Sequence, residues 1–125
     1  MTKKQKLRDR IFNKYGGRCS YCGCDLQKGW HVDHKEPVYR EWWKTDNSME
    51  RPENDVEENM MPSCPSCNIN KHSLSIEDFR NAIYQYVISL KKYSVQYKMA
   101  SKYGIVTETG KDIVFYFEKC EINGV

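Results

Sequence analysis

The sequence predicts an α+β fold in which a bound metal ion holds together a helix, two short strands and a second helix. Further helices and a short last strand follow. Two C-x-x-C pairs about forty residues apart predict the metal site. Apolar residues at helical spacing lie on both sides of these pairs, and short apolar runs between the pairs and near the end of the chain predict the strands.

Composition indicates a globular protein. The 125 residues fit one domain, which we place over residues 1–125. The hydrophobic fraction is 39% and the charged fraction 30%, and the apolar runs are too short to cross a bilayer. The first ten residues are polar and basic and lack the apolar stretch of a signal peptide, so we expect a cytoplasmic protein in a reducing compartment.

The first helix is predicted over Lys4–Tyr15. Leu7, Ile11 and Tyr15 recur every four residues and give it one apolar stripe. Gly16 and its neighbouring glycine end it.

The core, about residues 15–73, continues with a turn, two strands and a helix. We predict these elements over Cys19–Gly23, Trp30–Asp33, Met60–Met61 and Pro65–His72. The polar segment 38–58 between the strands is long for a compact domain, and such loops are often functional. Its Trp42 and Trp43 either touch a bound partner or close a small core of their own.

A helical extension is predicted over about residues 75–104. Ser75 can cap a helix that runs to Lys92, and Ser94 can cap another that runs to Tyr103. We assign the core-facing stripe of the first of these helices to Phe79, Ile83, Val87 and Leu90. The apolar and aromatic run near the end of the chain predicts a terminal strand over about residues 112–118.

The cysteine pairs predict a structural zinc ion. Cys19, Cys22, Cys64 and Cys67 offer four thiolates, the set that tetrahedral zinc prefers, and a glycine follows Cys22 as in a metal-binding turn. A redox dithiol would need one pair beside a βαβ pattern, which the sequence lacks. Because protein fills all four corners, the ion would be structural rather than catalytic. Cys24 is a spare thiol beside the site or an alternative to Cys22.

Residues between and after the pairs suit a second, catalytic metal site. Asp33 offers the hard oxygen that Mg²⁺ or Mn²⁺ prefers. His34 follows directly, and histidine titrates near neutral pH as a general base must. Asn68 opens a helix just after a zinc ligand, and its amide oxygen is a candidate second ligand.

On these residues the sequence resembles the His-Asn-His (HNH) endonucleases. The resemblance rests on the two cysteine pairs, on Asp33-His34 with Pro37, on Asn59 five residues before Cys64, and on Asn68 with Lys71. The flanks resemble small stand-alone members from phages and prophages over Lys14–Cys19, Ser75–Arg80 and Ile113–Glu118, so the likeness covers most of the chain.

The resemblance implies the ββα-metal fold and assigns a role to each matching residue. His34 would be the general base, and Asp33 and Asn68 would hold one divalent cation. Asn59 would brace the loop between the strands and orient His34. The family has histidine or asparagine at the position of Asn68, and asparagine favours Mg²⁺ or Mn²⁺.

DNA is the partner that the resemblance implies. Lys71 would meet a phosphate, and we add Arg18 and His72 as candidate contacts, although His72 also suits a plain surface position. The net charge is +3, with basic residues crowding the start of the chain, which suits a phosphate-following face or simply a solvated helix.

The prediction is therefore an endonuclease that hydrolyses DNA with weak sequence preference. The alternative is a non-catalytic zinc-stabilised module that binds DNA or protein, for example a phage packaging accessory. The sequence leaves open the DNA target, nicking or double-strand cleavage, a homodimer, and an association with phage terminase components.

Overall fold

The computed structural model describes residues 1–40, 43–44 and 48–122. Among them are five α-helices, a two-stranded sheet and two short 3₁₀ turns, which confirms the predicted α+β class. The chain divides into two compact units. The first contains Met1–Ile76 and the described residues from Val114 onward, and the second contains Glu77–Ile113. No helix of the described residues is long and apolar enough to span a membrane.

Helix α1 runs over Lys3–Asn13 and confirms the predicted first helix. Thr2 caps it reciprocally with Gln5, so two of the amide groups that a helix start leaves unpaired are satisfied. It ends two residues earlier than predicted, because Gly16 adopts φ +66° and its N–H bonds to the Asn13 carbonyl.

The sheet pairs β1, His31–His34, with β2, Met60–Ser63, in antiparallel register. His34 stands opposite Met60, at the end of the sheet where the long connection leaves β1 and returns. Of that connection, Trp42 lies outside the described residues, and Trp43 is exposed. The Lys14 ammonium group donates to the carbonyls of Glu58 and Met60 and so fastens α1 to the start of β2.

Three further helices confirm the predicted ones. Helix α2 covers Pro65–Lys71, α3 covers Ile76–Tyr93, and α4 covers Val95–Lys102 with Ser94 as its cap. Proline at the first position of α2 costs no hydrogen bond, since that N–H would have no partner in the helix.

The predicted terminal strand over about residues 112–118 is wrong, because a fifth helix, α5, begins at Tyr116 and runs to Ile122. Phe117 and Cys120 are buried at helical spacing in the first unit. The N–H groups of Tyr116 and Phe117 donate to carbonyls of the first cysteine turn rather than to a strand. Tertiary packing here outweighs the strand preference of an aromatic run.

The predicted core stripe of α3 is correct only in part. Phe79 is buried, but Ile83 and Val87 are half-buried and Leu90 is 43% exposed. The core of the first unit instead lies around the turn that carries Cys19 and Cys22 and beside the sheet. Its buried apolar members include Ile11, Tyr21, Leu26, Val38, Met61, Phe115 and Phe117.

Candidate functional site

The two cysteine pairs come together as predicted. The Sγ atoms of Cys19, Cys22, Cys64 and Cys67 all lie within 4.8 Å of one another. Among the described residues this is the one group of three or more cysteine, histidine or acidic side chains placed to hold a metal ion. Four thiolates at this separation fit a tetrahedral ion such as zinc and leave no corner for a substrate.

Each pair sits in a turn that presents its sulfur atoms. After Cys22, Gly23 takes φ +80°, and its N–H donates to the Cys19 carbonyl. A β-carbon on Gly23 would stand 3.0 Å from the Tyr116 ring, so glycine is required both by the backbone and by α5 behind it. In the second pair, Cys64 caps α2, and its Sγ accepts the N–H of Cys67.

The crowded thiols ionise unequally. A hydrogen bond with Cys67 lowers the pKa of Cys19 to about 4, and the same bond raises the pKa of Cys67. Burial raises the pKa of Cys22. Four thiols this close cannot all carry charge without a cation between them, so the donor chemistry fits a metal ion. Cys24 is exposed and lies outside the quartet.

The Asp33 carboxylate is held from two sides. Its Oδ2 accepts the Tyr21 hydroxyl at 2.5 Å and lies 3.1 Å from the Lys71 ammonium group. Burial, followed by the charge of Asp33, raises the pKa of Tyr21, so this phenol remains a donor. Tyr21 stands two residues after one cysteine ligand and Lys71 four residues after another. The cysteine cluster therefore fixes the position of Asp33 through both partners.

His34 is fixed through its ring and its backbone. Its Nε2 lies 2.8 Å from Oδ1 of Asp55, and its carbonyl accepts the Lys71 ammonium group at 2.7 Å. The side chain is 16% exposed. His34 and Asp33 both line a cleft of about 240 Å³, together with Pro37, Val38, Tyr39, Arg40, His72 and Ser73.

Asn59 ties the two ends of the long connection together. Its side-chain oxygen accepts the Glu36 N–H, and its amide nitrogen donates to the carbonyls of Glu36 and Asn54. Its own carbonyl accepts the N–H of Lys35, the residue after His34. These contacts close the loop that carries Asp55 over the histidine. A catalytic part for Asn59 stays a prediction.

Asn68 lies in the middle of α2, and His72 caps its C-terminal end. Asn68 is half-exposed, and its side chain makes no hydrogen bond to any described residue. It is not among the residues that line the cleft, whereas His72 is. The structure thus places Asp33, His34 and His72 around one cleft, and the assignment of Asn68 as a metal ligand stays a prediction.

The contact between Lys71 and DNA stays a prediction, and the structure gives this side chain other partners. Lys71 is 0% exposed, and its ammonium group is committed to Asp33 and the His34 carbonyl. Arg18 is half-exposed, donates to the Gly23 carbonyl and lies 3.9 Å from Asp25. The side-chain contacts of Arg18 therefore lie in the segment that carries the first cysteine pair.

Two of the basic residues at the start of the chain, Arg8 and Arg10, are also engaged in structural contacts. Arg8 donates to the Trp30 carbonyl and stacks over that ring at 3.9 Å. Arg10 forms a two-pronged ion pair with Glu57. These arginines fasten α1 to the rest of the first unit, so part of the charge of this segment serves the fold rather than a phosphate-binding face.

Sequence reasoning missed Asp55, which contacts His34, and Arg40, which lines the cleft. Asp55 lies in an acidic, irregular stretch where no spacing distinguishes it from its neighbours. Arg40 lines the cleft beside Tyr39, which adopts φ +52°, an uncommon conformation for a residue with a side chain. A positive φ cannot be read from sequence without a glycine or asparagine to signal it.

Comparison with known proteins identifies one family. The model described as HNH endonuclease matches residues 19–74, just under half of the chain. The matched segment contains both cysteine pairs, both strands and α2. A search of curated proteins and a search of solved structures gave no match.

Proposed function

We propose, because residues 19–74 match the HNH endonuclease family, that the chain is a metal-dependent endonuclease that hydrolyses phosphodiester bonds in DNA. The family supports a nuclease and a DNA substrate. The observation that carries the finer proposal is the fixed His34 imidazole beside Asp33 in one cleft. A histidine held at its backbone and at one ring nitrogen is preorganised for proton transfer.

His34 acts as the general base. When its neutral ring donates Nε2–H to the Asp55 carboxylate, Nδ1 carries the free lone pair. That nitrogen takes a proton from the water that attacks phosphorus. Asp55 is then a positioning residue, which selects the tautomer and stabilises the cation that forms. The products carry 5′-phosphate and 3′-hydroxyl ends, as the family resemblance implies.

Asp33 and Asn68 are the proposed ligands of a divalent cation. Of the two Asp33 oxygens, Oδ1 makes no hydrogen bond among the described residues, and neither does the Asn68 amide. Both are oxygen donors of the kind that Mg²⁺ and Mn²⁺ take. When bound, such an ion supplies charge neutralisation at the phosphate and at the departing oxygen.

Arg40 and His72 replace Lys71 as the proposed phosphate contacts of the cleft. Both line it beside His34, and both side chains belong to exposed residues. Phosphate contacts position a nucleic acid but carry no sequence information. We therefore propose weak sequence preference.

Plasmid nicking with Mg²⁺ or Mn²⁺ tests the proposal. Wild type is compared with His34→Ala and with His31→Ala, a matched control because His31 is an exposed histidine on the same strand. We expect the His34 variant to lose about 10²–10⁴-fold in rate and the control to cut normally. Equal rates in all three would remove His34 from the chemistry.

The second candidate is a zinc-stabilised module that binds DNA or protein without cutting. One observation favours it: buried Lys71 already neutralises Asp33, so this carboxylate needs no cation to stay in place. Full DNA binding with no cleavage at any Mg²⁺ or Mn²⁺ concentration would select this candidate.

A further inference from the structure

We propose that the second unit binds single-stranded DNA through a lysine–tyrosine surface, defined here as residues 91–103. The proposal rests on the proposed nuclease function for the identity of the nucleic acid. It adds a second place of contact, separate from the cleft residues, and names the form of DNA that this place takes.

The charge of the surface has one sign. Four lysines and no acidic residue fall between Leu90 and Glu108: Lys91, Lys92, Lys98 and Lys102. Lys91 pairs with Glu108 at 3.2 Å. The other three form no ion pair with any described residue. Unpaired lysines on one short segment release counterions when a phosphate chain takes their place, which favours a polyanion as partner.

Exposed aromatic rings lie among these lysines. Tyr93 is 72% exposed and Tyr103 is 71% exposed. The Lys92 ammonium group lies 5.3 Å from the Tyr93 ring centroid. Such rings gain little by facing water, and each offers a flat face on which an unpaired base can stack.

Helix α4 brings cationic and apolar groups onto one exposed side. Val95, Lys98, Met99 and Lys102 follow at spacings of three and four residues, so they share a helix face. All four belong to exposed residues. Tyr103 caps the same helix directly after Lys102.

This mixture fits a nucleic-acid strand better than a protein. Protein interfaces are enriched in tyrosine but depleted of lysine. Sites for single strands combine both, because lysine follows the backbone while the aromatic ring stacks on bases. A duplex keeps its bases stacked on each other, so the tyrosines contribute only where bases are unpaired.

Fluorescence anisotropy with a labelled oligothymidylate strand tests the proposal. The second probe is the same strand paired with its complement in a duplex. All proteins are full-length and carry His34→Ala, and Mg²⁺ and Mn²⁺ are omitted, so cleavage is not required. Tyr93→Leu/Tyr103→Leu should weaken binding to the single strand by at least about tenfold. Tyr93→Phe/Tyr103→Phe, which keeps both rings, should bind as the parent does.

Charge is tested separately by salt titration. Lys98→Gln/Lys102→Gln should lower the slope of log affinity against log salt by about 1.4, or about 0.7 for each lost phosphate contact. The matched control, Lys3→Gln/Lys4→Gln, removes the same charge from exposed positions of α1 and should leave the slope nearly unchanged.

Three outcomes overturn the proposal. The first is an unchanged DNA affinity in the leucine variant, and the second is an equal loss of DNA affinity in the leucine and phenylalanine variants. The third is a change of oligomeric state with DNA affinity intact, which would make the surface a protein interface. The nuclease proposal is judged on other data. A chain that never nicks plasmid but shows the predicted binding pattern would refute the nuclease function and leave this inference standing.

Discussion

Replacing Lys71 by methionine removes a buried cation while keeping most of the side-chain volume. Lys71 is 0% exposed and lies 3.1 Å from Asp33. At an effective dielectric of about 20, two unit charges at this distance attract by roughly 5 kcal/mol. Breaking a buried pair by removing one partner typically costs about 3–5 kcal/mol, because the other charge remains unpaired. We expect Lys71→Met to lower the free energy of unfolding by a similar amount.

The assay is denaturant unfolding of the zinc-loaded protein, with Lys28→Met as control, since Lys28 is exposed. The double variant Asp33→Asn/Lys71→Met removes both charges and should recover most of the loss, which a double-mutant cycle measures. If Lys71→Met unfolds like the control and loses only DNA affinity, Lys71 is a phosphate contact and the buried pair is refuted.

Three further predictions concern the cysteine cluster and the histidine. Cys67→Ser should abolish zinc binding and cooperative folding, whereas Cys24→Ser should keep one zinc ion per chain. Metal analysis measures the zinc content, and circular dichroism follows the folding. A zinc-loaded, folded Cys67→Ser protein would show that Cys67 is not one of the four zinc ligands. Asp55→Ala should slow nicking by about 10–100-fold with stability unchanged. Asp55→Asn, which retains a hydrogen-bond acceptor, should slow nicking by less, and Glu53→Gln is the control. A wild-type nicking rate for Asp55→Ala would exclude the positioning role of Asp55. Gly23→Ala should cost more stability than Gly16→Ala. Both glycines have a positive φ, but only at Gly23 would the added β-carbon meet an aromatic ring. Equal losses of stability in thermal unfolding would show that the contact with the ring is not the cause.

The cysteine cluster could be predicted because its signal is local. Cys19 and Cys22 share one turn, Cys64 and Cys67 another, and the spacing within each pair is what a metal-binding turn requires. The helices were predictable for the same reason, since caps such as Ser94 and apolar spacing act within a few residues.

The errors lie where distant residues decide. The last helix has a strand-like sequence, but its Phe117 N–H finds the Ser20 carbonyl, nearly a hundred residues away. Lys71 stands at a motif position that suggests surface charge, and its burial depends on Asp33 across the sheet. Asp55 reaches His34 because Asn59 closes the loop between them, and no local pattern announces that closure.

In the proposed mechanism the His34 imidazole takes the proton of the attacking water, and chemical rescue can show this transfer. Single-turnover cleavage of a labelled DNA by His34→Gly is measured with increasing free imidazole at saturating Mg²⁺. We expect the variant to be nearly inactive and its rate to rise with imidazole concentration, while the wild-type rate does not. A variant that cuts as fast as wild type, or whose rate does not change with added imidazole, would show that His34 is not the general base.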